Sequence, residues 1–363
     1  MKKLKKIFIA ATHQNDGKTA LSLGLIRGLK AKGKIGFIKP VGQRYLIEED
    51  EKIDEDSLLI EKTFGLECDL KDTSPIAIER GFTENYILRG KRRNLSKKII
   101  SAFERVSKGK DLVVIEGTGH AGVGSVFDFS NAKVARILKS KVIMISSGGI
   151  GRPIDEIMLN KALFDKAGVQ LIGVIVNKVL PQKFDKVSKL VKLGLKKKGL
   201  ETFGVIPYHP SLSRPTISQI FDETEMTLLL GEKNIGNIVD KVIVGAMEVR
   251  EAIKHIERRS LVITPGDRED IILAAINKKS FTNERRKIAG FILSGGIVPK
   301  KKVLKEMEKS GVPVLISKDD TYTTSSLVHD LIVKVRPEDK IKIRLIEQLV
   351  KKYVDLDHIY DRL

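Results

Sequence analysis

Short apolar runs rich in β-branched residues alternate along this chain with stretches in which apolar residues recur at helical spacing. This alternation is typical of βα units, which build a parallel sheet with helices on its faces. In the first half, the pattern predicts strands at residues 6–11, 35–39, 112–116, 142–146, 171–176 and 202–206. Helices are predicted between these strands, for example at residues 131–138 and 154–167.

Prolines interrupt this pattern after the last of these strands, since three of them lie between residues 207 and 215 and cannot continue a helix. We therefore expect a boundary between residues 208 and 237, with a first domain at residues 1–210 and a second at 235–363. The second α/β series has predicted strands at residues 261–264, 288–293 and 312–316 and predicted helices at 268–277, 300–309 and 337–353. Two domains also agree with a length of 363 residues, because single cores rarely grow beyond about 300 residues.

The first predicted strand leads directly into a loop that has the pattern of a phosphate-binding sequence. Residues 12–19 read Thr-His-Gln-Asn-Asp-Gly-Lys-Thr, and helical spacing follows to about residue 32. After a strand and before a helix, backbone N–H groups and the helix dipole favour an anion. Lys18 would reach the outer phosphates, and the Thr19 hydroxyl would coordinate Mg²⁺. Compared with the usual pattern G-x-x-x-x-G-K-[ST], Thr12 replaces the first glycine. The predicted nucleotide contacts in this loop are Thr12, Asn15, Asp16, Gly17, Lys18, Thr19 and Ala20.

Polar residues also end other predicted strands, at the edge where parallel sheets bind ligands. Lys39 precedes a proline at the end of the second strand, and we expect it to contact phosphate or substrate. Glu116, which a Gly-Thr-Gly turn follows, is a natural ligand for Mg²⁺ or water. Asp54 and Asp56 lie in an acidic stretch and are either further metal ligands or solvated charges. The predicted catalytic groups are Lys18, Lys39 and Glu116, and the predicted metal ligands are Thr19, Asp54, Asp56 and Glu116.

Asn177 follows the predicted strand at residues 171–176, and its amide can both donate to and accept from a base edge. Guanine sites of the form Asn-Lys-x-Asp carry a carboxylate three residues later, where this chain has Leu180. The sequence therefore favours adenine, and ATP with Mg²⁺ is the expected cofactor pair. The alternative is that Asn177 only caps the following turn.

The amino-acid composition excludes several kinds of partner and site. The chain carries 66 Lys and Arg against 46 Asp and Glu, a formal net charge of +20, but the basic residues are scattered and aromatic residues are only 5%. Because base-stacking platforms are scarce, we expect a solvated lysine-rich surface and no nucleic-acid partner. Cys68 is the single cysteine, which excludes a disulfide within the chain and a cysteine metal cluster. No apolar stretch is long enough to span a bilayer or to act as a secretory core, so we expect a cytoplasmic protein without membrane contact. We also expect a homo-oligomer.

Residues 1–210 resemble dethiobiotin synthetase and the related cobyrinic acid amidase group of P-loop proteins. The matching pieces are the loop at residues 12–19, Lys-Pro-Val at 39–41, Glu-Gly-Thr-Gly at 116–119, Asn177 and Gly-Val-Ile-Pro at 204–207. This resemblance implies that Lys18 and Thr19 bind ATP phosphates and Mg²⁺, and that Lys39 faces the substrate. It also implies that Mg²⁺ binds Glu116 and one of Asp54 and Asp56, and that Asn177 reads adenine.

The second half resembles a DRTGG domain, whose defining residues correspond to Asp267 and Arg268 and, with serine for threonine, to Ser294, Gly295 and Gly296. These two strand-end loops would converge on a small anionic metabolite. The alternative is that Arg268 pairs with a neighbouring carboxylate and the glycines form tight turns. Together, the two halves are similar to the N-terminal region of long bacterial phosphotransacetylases. The expected fold class is α/β, with a P-loop NTPase domain built on a parallel sheet and a smaller α/β DRTGG-like domain after it.

The chain ends at Leu363, where those enzymes continue into their acetyltransferase domain, and we therefore expect that acetyl-transfer chemistry is missing. Dethiobiotin synthesis is also disfavoured, because Gln43 and Arg44 stand where the synthetase carries a serine near its diamine substrate. The leading expectation is a slow Mg²⁺-dependent ATPase with a ligand- or partner-sensing second domain. One alternative is an ATP-dependent ligase of the dethiobiotin synthetase or cobyrinic acid amidase type, acting on a carboxylate, carbamate or amide. Another is a nucleotide-binding module without turnover.

Overall fold

The computed structural model describes residues 3–90, 94–277, 288–331 and 333–363. The chain forms two compact units. The first contains Met1–His209 together with Val335–Leu363, and the second contains Pro210–Lys334. In chain order the second unit is therefore inserted into the first.

Strands and helices alternate through the first unit as the apolar pattern predicted. Up to residue 207 they are β1 (Lys5–Ala11), α1 (Lys18–Leu29), β2 (Ile35–Ile38), β3 (Tyr45–Glu48), β4 (Glu51–Asp54), α2 (Glu55–Phe64), α3 (Leu70–Thr73), α4 (Phe82–Arg89), α5 (Leu95–Ser107), β5 (Leu112–Glu116), α6 (Asn131–Ile137), β6 (Lys141–Ser147), α7 (Gly151–Lys166), β7 (Leu171–Val179), α8 (Phe184–Lys197) and β8 (Thr202–Pro207).

Six of these strands form one parallel sheet in the order β2-β5-β1-β6-β7-β8. Residues of β1 that point to opposite faces, such as Phe8 and Ile9, are both fully buried, as expected where both faces of a sheet are covered. The chain moves from β1 to β2 on one side and later to β6 on the other, so β1 lies where the strand order reverses. Ligands of such sheets bind beyond the carboxyl end of the strands at this position.

The second unit is a smaller α/β domain. Its elements are α9 (Ile217–Asp222), β9 (Thr227–Leu230), β10 (Lys241–Val244), α10 (Val249–His255), β11 (Ser260–Pro265), α11 (Glu269–Ile276), β12 (Gly290–Ser294), α12 (Lys301–Ser310), β13 (Val314–Ile316) and α13 (Thr321–His329). Its five-stranded sheet has the order β10-β11-β12-β13-β9, in which β9 is antiparallel to β13 and the other pairs are parallel. The predicted α/β class, with a parallel sheet in the first domain and a smaller second domain, is confirmed.

After the second unit the chain returns to the first with α14 (Lys340–Tyr353) and α15 (Leu356–Arg362). Two glycines of α1 allow these helices to approach closely. A Cβ on Gly24 would lie 2.3–2.6 Å from the side chain of Val350, and one on Gly28 would lie 2.2 Å from Cδ1 of Leu356. The sequence assigned this segment to a second domain at residues 235–363. The structure instead places it with the first unit, because the apolar face of α14 packs on α1.

Candidate functional site

The loop between β1 and α1 is held in place by its own polar side chains. Thr12 donates from Oγ1 to Asp16 Oδ2 at 2.8 Å, and the N–H of His13 donates to the same oxygen at 2.7 Å. The hydroxyl of Ser147 donates to the other carboxylate oxygen of Asp16. The Asp16 side chain is buried, and the hydrogen bonds that it accepts hold the loop in its conformation. Thr12, which replaces the usual first glycine, supplies one of the hydrogen bonds that fix this shape.

Two residues of the loop have positive φ angles, 63° at Asn15 and 107° at Gly17. A Cβ on Gly17 would also lie 2.3 Å from Nδ2 of Asn177, so both backbone conformation and space require glycine there. Helix α1 begins directly afterwards. The N–H groups of its first turn, including those of Thr19 and Ala20, have no carbonyl partner within the helix and are available to a phosphate.

Lys18 is buried at the start of α1, and its Nζ lies 3.5 Å from the carbonyl oxygen of His13. Burial lowers the pKa of Lys18 and the nearby Lys39 lowers it further, whereas the Glu116 carboxylate raises it. An anionic ligand beside this ammonium would remove much of the desolvation cost. The environment of Lys18 therefore favours the binding of negative charge.

Glu116 ends β5 next to the first turn of α1. Its Oε1 accepts a hydrogen bond from Thr19 Oγ1 at 2.9 Å, and its Oε2 accepts one from Ser22 Oγ at 2.6 Å. Burial raises the pKa of this carboxyl to about 7, and the Asp56 charge contributes, while Lys39 and the Ser22 hydrogen bond act in the opposite direction. Thr19 and Glu116, both predicted to bind Mg²⁺, are thus in contact.

Lys39 follows β2 and is buried among carboxylates. Its Nζ lies 2.9 Å from Asp54 Oδ1 and also contacts Asp56 Oδ2. Burial alone would lower the pKa of Lys39, but the charges of Asp56 and Asp54 outweigh this effect and raise it. Asp54 and Asp56 are therefore not solvated charges, which was the alternative that the sequence left open.

Both polar atoms of the Asn177 side-chain amide form hydrogen bonds within the protein. Nδ2 donates to the carbonyl oxygen of Asp16 at 2.8 Å, and Oδ1 accepts the N–H of Lys178 at 2.9 Å. Asn177 therefore supports the phosphate-binding loop and also caps the turn after β7. Recognition of adenine by Asn177 stays a prediction.

The predicted metal ligands satisfy part of what Mg²⁺ requires. Within the described residues, no three acidic, histidine or cysteine side chains come together as a metal site. Mg²⁺ at nucleotide sites, however, usually takes only one or two carboxylates together with phosphate oxygens and water. The contact between Thr19 and Glu116 meets that requirement, whereas Lys39 holds Asp54 and Asp56.

In the two predicted ligand loops of the second domain, Arg268 pairs with a neighbouring carboxylate and the glycines form tight turns, which was the alternative to a ligand site. Arg268 donates to both oxygens of Asp270, at 3.0 and 3.1 Å, and to the carbonyl of Met247 at 3.1 Å. Gly295 and Gly296 have positive φ angles, and their N–H groups donate to backbone carbonyl oxygens. Ser294 shares a 2.7 Å hydrogen bond with the hydroxyl of Thr321, and Asp267 lies beside Arg268 in the turn before α11. The arginine and glycine donors are thus used within the protein, and an anionic metabolite stays a prediction.

Sequence reasoning missed three residues that position either the phosphate-binding loop or Glu116. Ser22 donates to Glu116, Ser147 donates to Asp16, and Lys178 donates to the carbonyl oxygen of Asn15. Ser147 ends β6 and Lys178 lies near the end of β7, so the strand-end rule that selected Glu116 applied to both of them. Ser22 lies one helical turn after Thr19, and this spacing was the available signal.

These features define a P-loop protein. The strand at which the order of the parallel sheet reverses, β1, leads into the loop, and the helix after the loop begins with lysine and threonine. The chain belongs to the AAA domain family, which matches residues 5–216, and residues 219–331 match the DRTGG domain. The expected order of a P-loop domain and a DRTGG domain is therefore confirmed. The finer resemblance to dethiobiotin synthetase stays a prediction.

Curated relatives that align with nearly the whole chain are named phosphate acetyltransferase. The protein of Nitratidesulfovibrio vulgaris is 27% identical over 98% of this chain and 51% of its own length. The protein of Pseudomonas putida is 26% identical over 99% of this chain and 52% of its own length. The chain thus spans about half the length of these relatives. Among solved structures, the MinC:MinD cell division protein complex of Aquifex aeolicus is similar, with a TM-score of 0.36, 15% identity and coverage of 57% of this chain and 83% of that one.

These relatives correct the functional expectation. We expected a slow Mg²⁺-dependent ATPase without acetyltransferase chemistry, with a ligase or a binding module without turnover as alternatives. The relatives, which are 23–27% identical over 96–99% of this chain, are instead named as transferases and not as ATPases. The expectation was wrong because it relied on the P-loop and on the position of the last residue.

Within the described residues, none of the helices has the length and apolar character needed to cross a bilayer.

Proposed function

We propose that this chain serves the transfer of an acetyl group to phosphate. The observation that carries this proposal is the similarity to proteins named phosphate acetyltransferase, which extends over 96–99% of the chain. The similarity therefore includes both units and is not limited to the P-loop region, which proteins with many different activities share.

We further propose that the loop at residues 12–19 binds ATP with Mg²⁺ and that the nucleotide acts as an effector. Acetyl transfer to phosphate requires an acetyl donor and phosphate, so ATP is not consumed in it. The N–H groups of the first turn of α1, which have no carbonyl partner within the helix, and the buried Lys18 ammonium would bind the phosphates. Thr19 and Glu116 would hold Mg²⁺ together with phosphate oxygens.

The experiment measures acetyl phosphate formed from acetyl-coenzyme A and inorganic phosphate. It is run with the purified chain and with extracts of cells that contain or lack the chain, with and without ATP and Mg²⁺. We expect chain-dependent formation of acetyl phosphate at a rate that changes with ATP. Lys18→Ala should remove the response to ATP, whereas the exposed Lys30→Ala should keep it. The absence of chain-dependent acetyl phosphate in both preparations would contradict the proposal.

A further inference from the structure

Lys39, Asp54 and Asp56 form a buried cluster of one ammonium and two carboxylates. Lys39 is only 6% exposed, and its Nζ contacts Asp54 Oδ1 at 2.9 Å as well as Asp56 Oδ2. The two carboxylates are held together by the N-terminal cap of α2, in which the N–H of Asp56 donates to Asp54 Oδ1 at 2.9 Å. The cluster is therefore built by the fold and does not depend on mobile surface side chains.

One oxygen of this cluster remains without a donor. Within the part of the chain that the structure describes, Asp54 Oδ2 is buried and accepts no hydrogen bond. Gly42 lies against it, at a position where a Cβ would be 2.5 Å from this oxygen. A buried acceptor without a donor costs about 1–3 kcal/mol, and more when it is charged. Such a cost is understandable if a cation reaches Asp54 Oδ2 in another state of the protein.

The Lys39 ammonium lies where it would compete with that cation. It already contacts one oxygen of each aspartate, and the nearby Lys18 adds a second positive charge. Both oxygens of Glu116 are meanwhile engaged by the hydroxyls of Thr19 and Ser22. This arrangement agrees with the finding that no three potential metal ligands converge among the described residues.

We propose that Lys39 acts as a counter-ion gate, which keeps a divalent ion away from Asp54 and Asp56 until nucleotide phosphates bind its ammonium instead. This inference rests on the proposed nucleotide site and adds an order of binding to it. Phosphate oxygens compete with carboxylates for an ammonium group, because both form charge-assisted hydrogen bonds. Once Lys39 turns to the phosphates, the oxygens of Asp54, including Oδ2, are available to the ion. The ion then enters with the nucleotide and not before it.

The test is calorimetric titration of the full chain with Mn²⁺ in the absence of nucleotide. Lys39→Met should bind Mn²⁺ at least about tenfold more tightly than wild type, because a buried positive charge next to the carboxylates is removed. Lys39→Arg keeps the charge and should bind as weakly as wild type. The matched control is Lys110→Met, since the Lys110 ammonium donates to the carbonyl of Leu66 at 2.6 Å. Adding Asp54→Asn to Lys39→Met should remove the gained affinity.

Equal Mn²⁺ affinity in wild type and in a folded Lys39→Met variant would overturn the gate. Wild type provides an independent measurement that does not depend on the folding of this variant. It should bind metal-free ATP without Mn²⁺, and it should bind Mn²⁺ more tightly once ATP is present. Tight Mn²⁺ binding to wild type without nucleotide would also overturn the gate, even if ATP binds normally. Failure to bind ATP, in contrast, would remove the proposed nucleotide site itself.

Discussion

Replacing Glu116 with glutamine should stabilise the ligand-free protein at alkaline pH. The side chain is 1% exposed, and burial raises the pKa of its carboxyl from 4.5 to about 7, with a contribution from Asp56. Glutamine has nearly the same shape and keeps one acceptor oxygen, but it carries no charge to bury. A gain in stability at this position would show that the charge is retained for ligand binding at the expense of folding.

The magnitude follows from the difference between the folded and unfolded pKa. Because the folded protein binds the proton more tightly, the charge costs no stability well below pH 4.5, costs more as the pH rises, and reaches its full cost above pH 7. Each pKa unit corresponds to about 1.4 kcal/mol, which gives an upper value of roughly 3 kcal/mol. The variant weakens a hydrogen bond from Thr19 or Ser22, and we therefore expect a gain of about 1–3 kcal/mol at pH 8. At pH 5 the gain should be less than about 1 kcal/mol.

The assay is urea unfolding in EDTA at pH 5 and pH 8, followed by far-UV circular dichroism because the chain contains no tryptophan. Wild type and Glu116→Gln are compared with Glu104→Gln, which changes an exposed glutamate in the same unit. The control should show no pH-dependent difference from wild type. A Glu116→Gln variant that is less stable than wild type at pH 8, or that shows the same difference at both pH values, would show that burial of the Glu116 charge does not cost stability.

Three other variants test separate parts of the structure. Gly24→Ala should lower the free energy of unfolding by about 1–3 kcal/mol, because its Cβ would lie 2.3–2.6 Å from Val350, and adding Val350→Ala should recover part of the loss. Gly17→Ala should abolish ATP binding in calorimetry with an unchanged dichroism spectrum, since φ is 107° and the Cβ would lie 2.3 Å from the Asn177 amide; ATP binding like that of wild type would be inconsistent with this loop geometry. Arg268→Ala should cost less than about 1 kcal/mol in urea unfolding, because its carboxylate pair lies at the surface, and a larger loss would show that this ion pair has a structural role.

The sequence was most informative where strands are buried on both faces. β5 was predicted with its observed bounds at residues 112–116, because its apolar run is continuous and a turn follows it. β9 and β10 were missed, because these edge strands have only four residues each and are partly exposed. The helix pattern at residues 337–353 showed that one face of α14 is buried, but an amphipathic pattern does not say which unit covers that face.

The candidate site was predictable to the extent that residues end parallel strands. That rule selected Glu116, and the loop motif selected Thr19, which the structure places 2.9 Å apart. The contact of Lys39 with Asp56 was not predictable, because it depends on the β3–β4 hairpin and on the cap of α2. Patterns of residue type identify candidate groups, whereas such ion pairs depend on how distant segments pack.

Calorimetric titration of the whole chain with ATP tests phosphate binding at the loop of residues 12–19 most directly. Wild type should show saturable binding, and Lys18→Ala should show none while it keeps the dichroism spectrum of wild type. ATP binding of equal affinity in wild type and Lys18→Ala, or no ATP binding to wild type, would contradict phosphate binding at this loop.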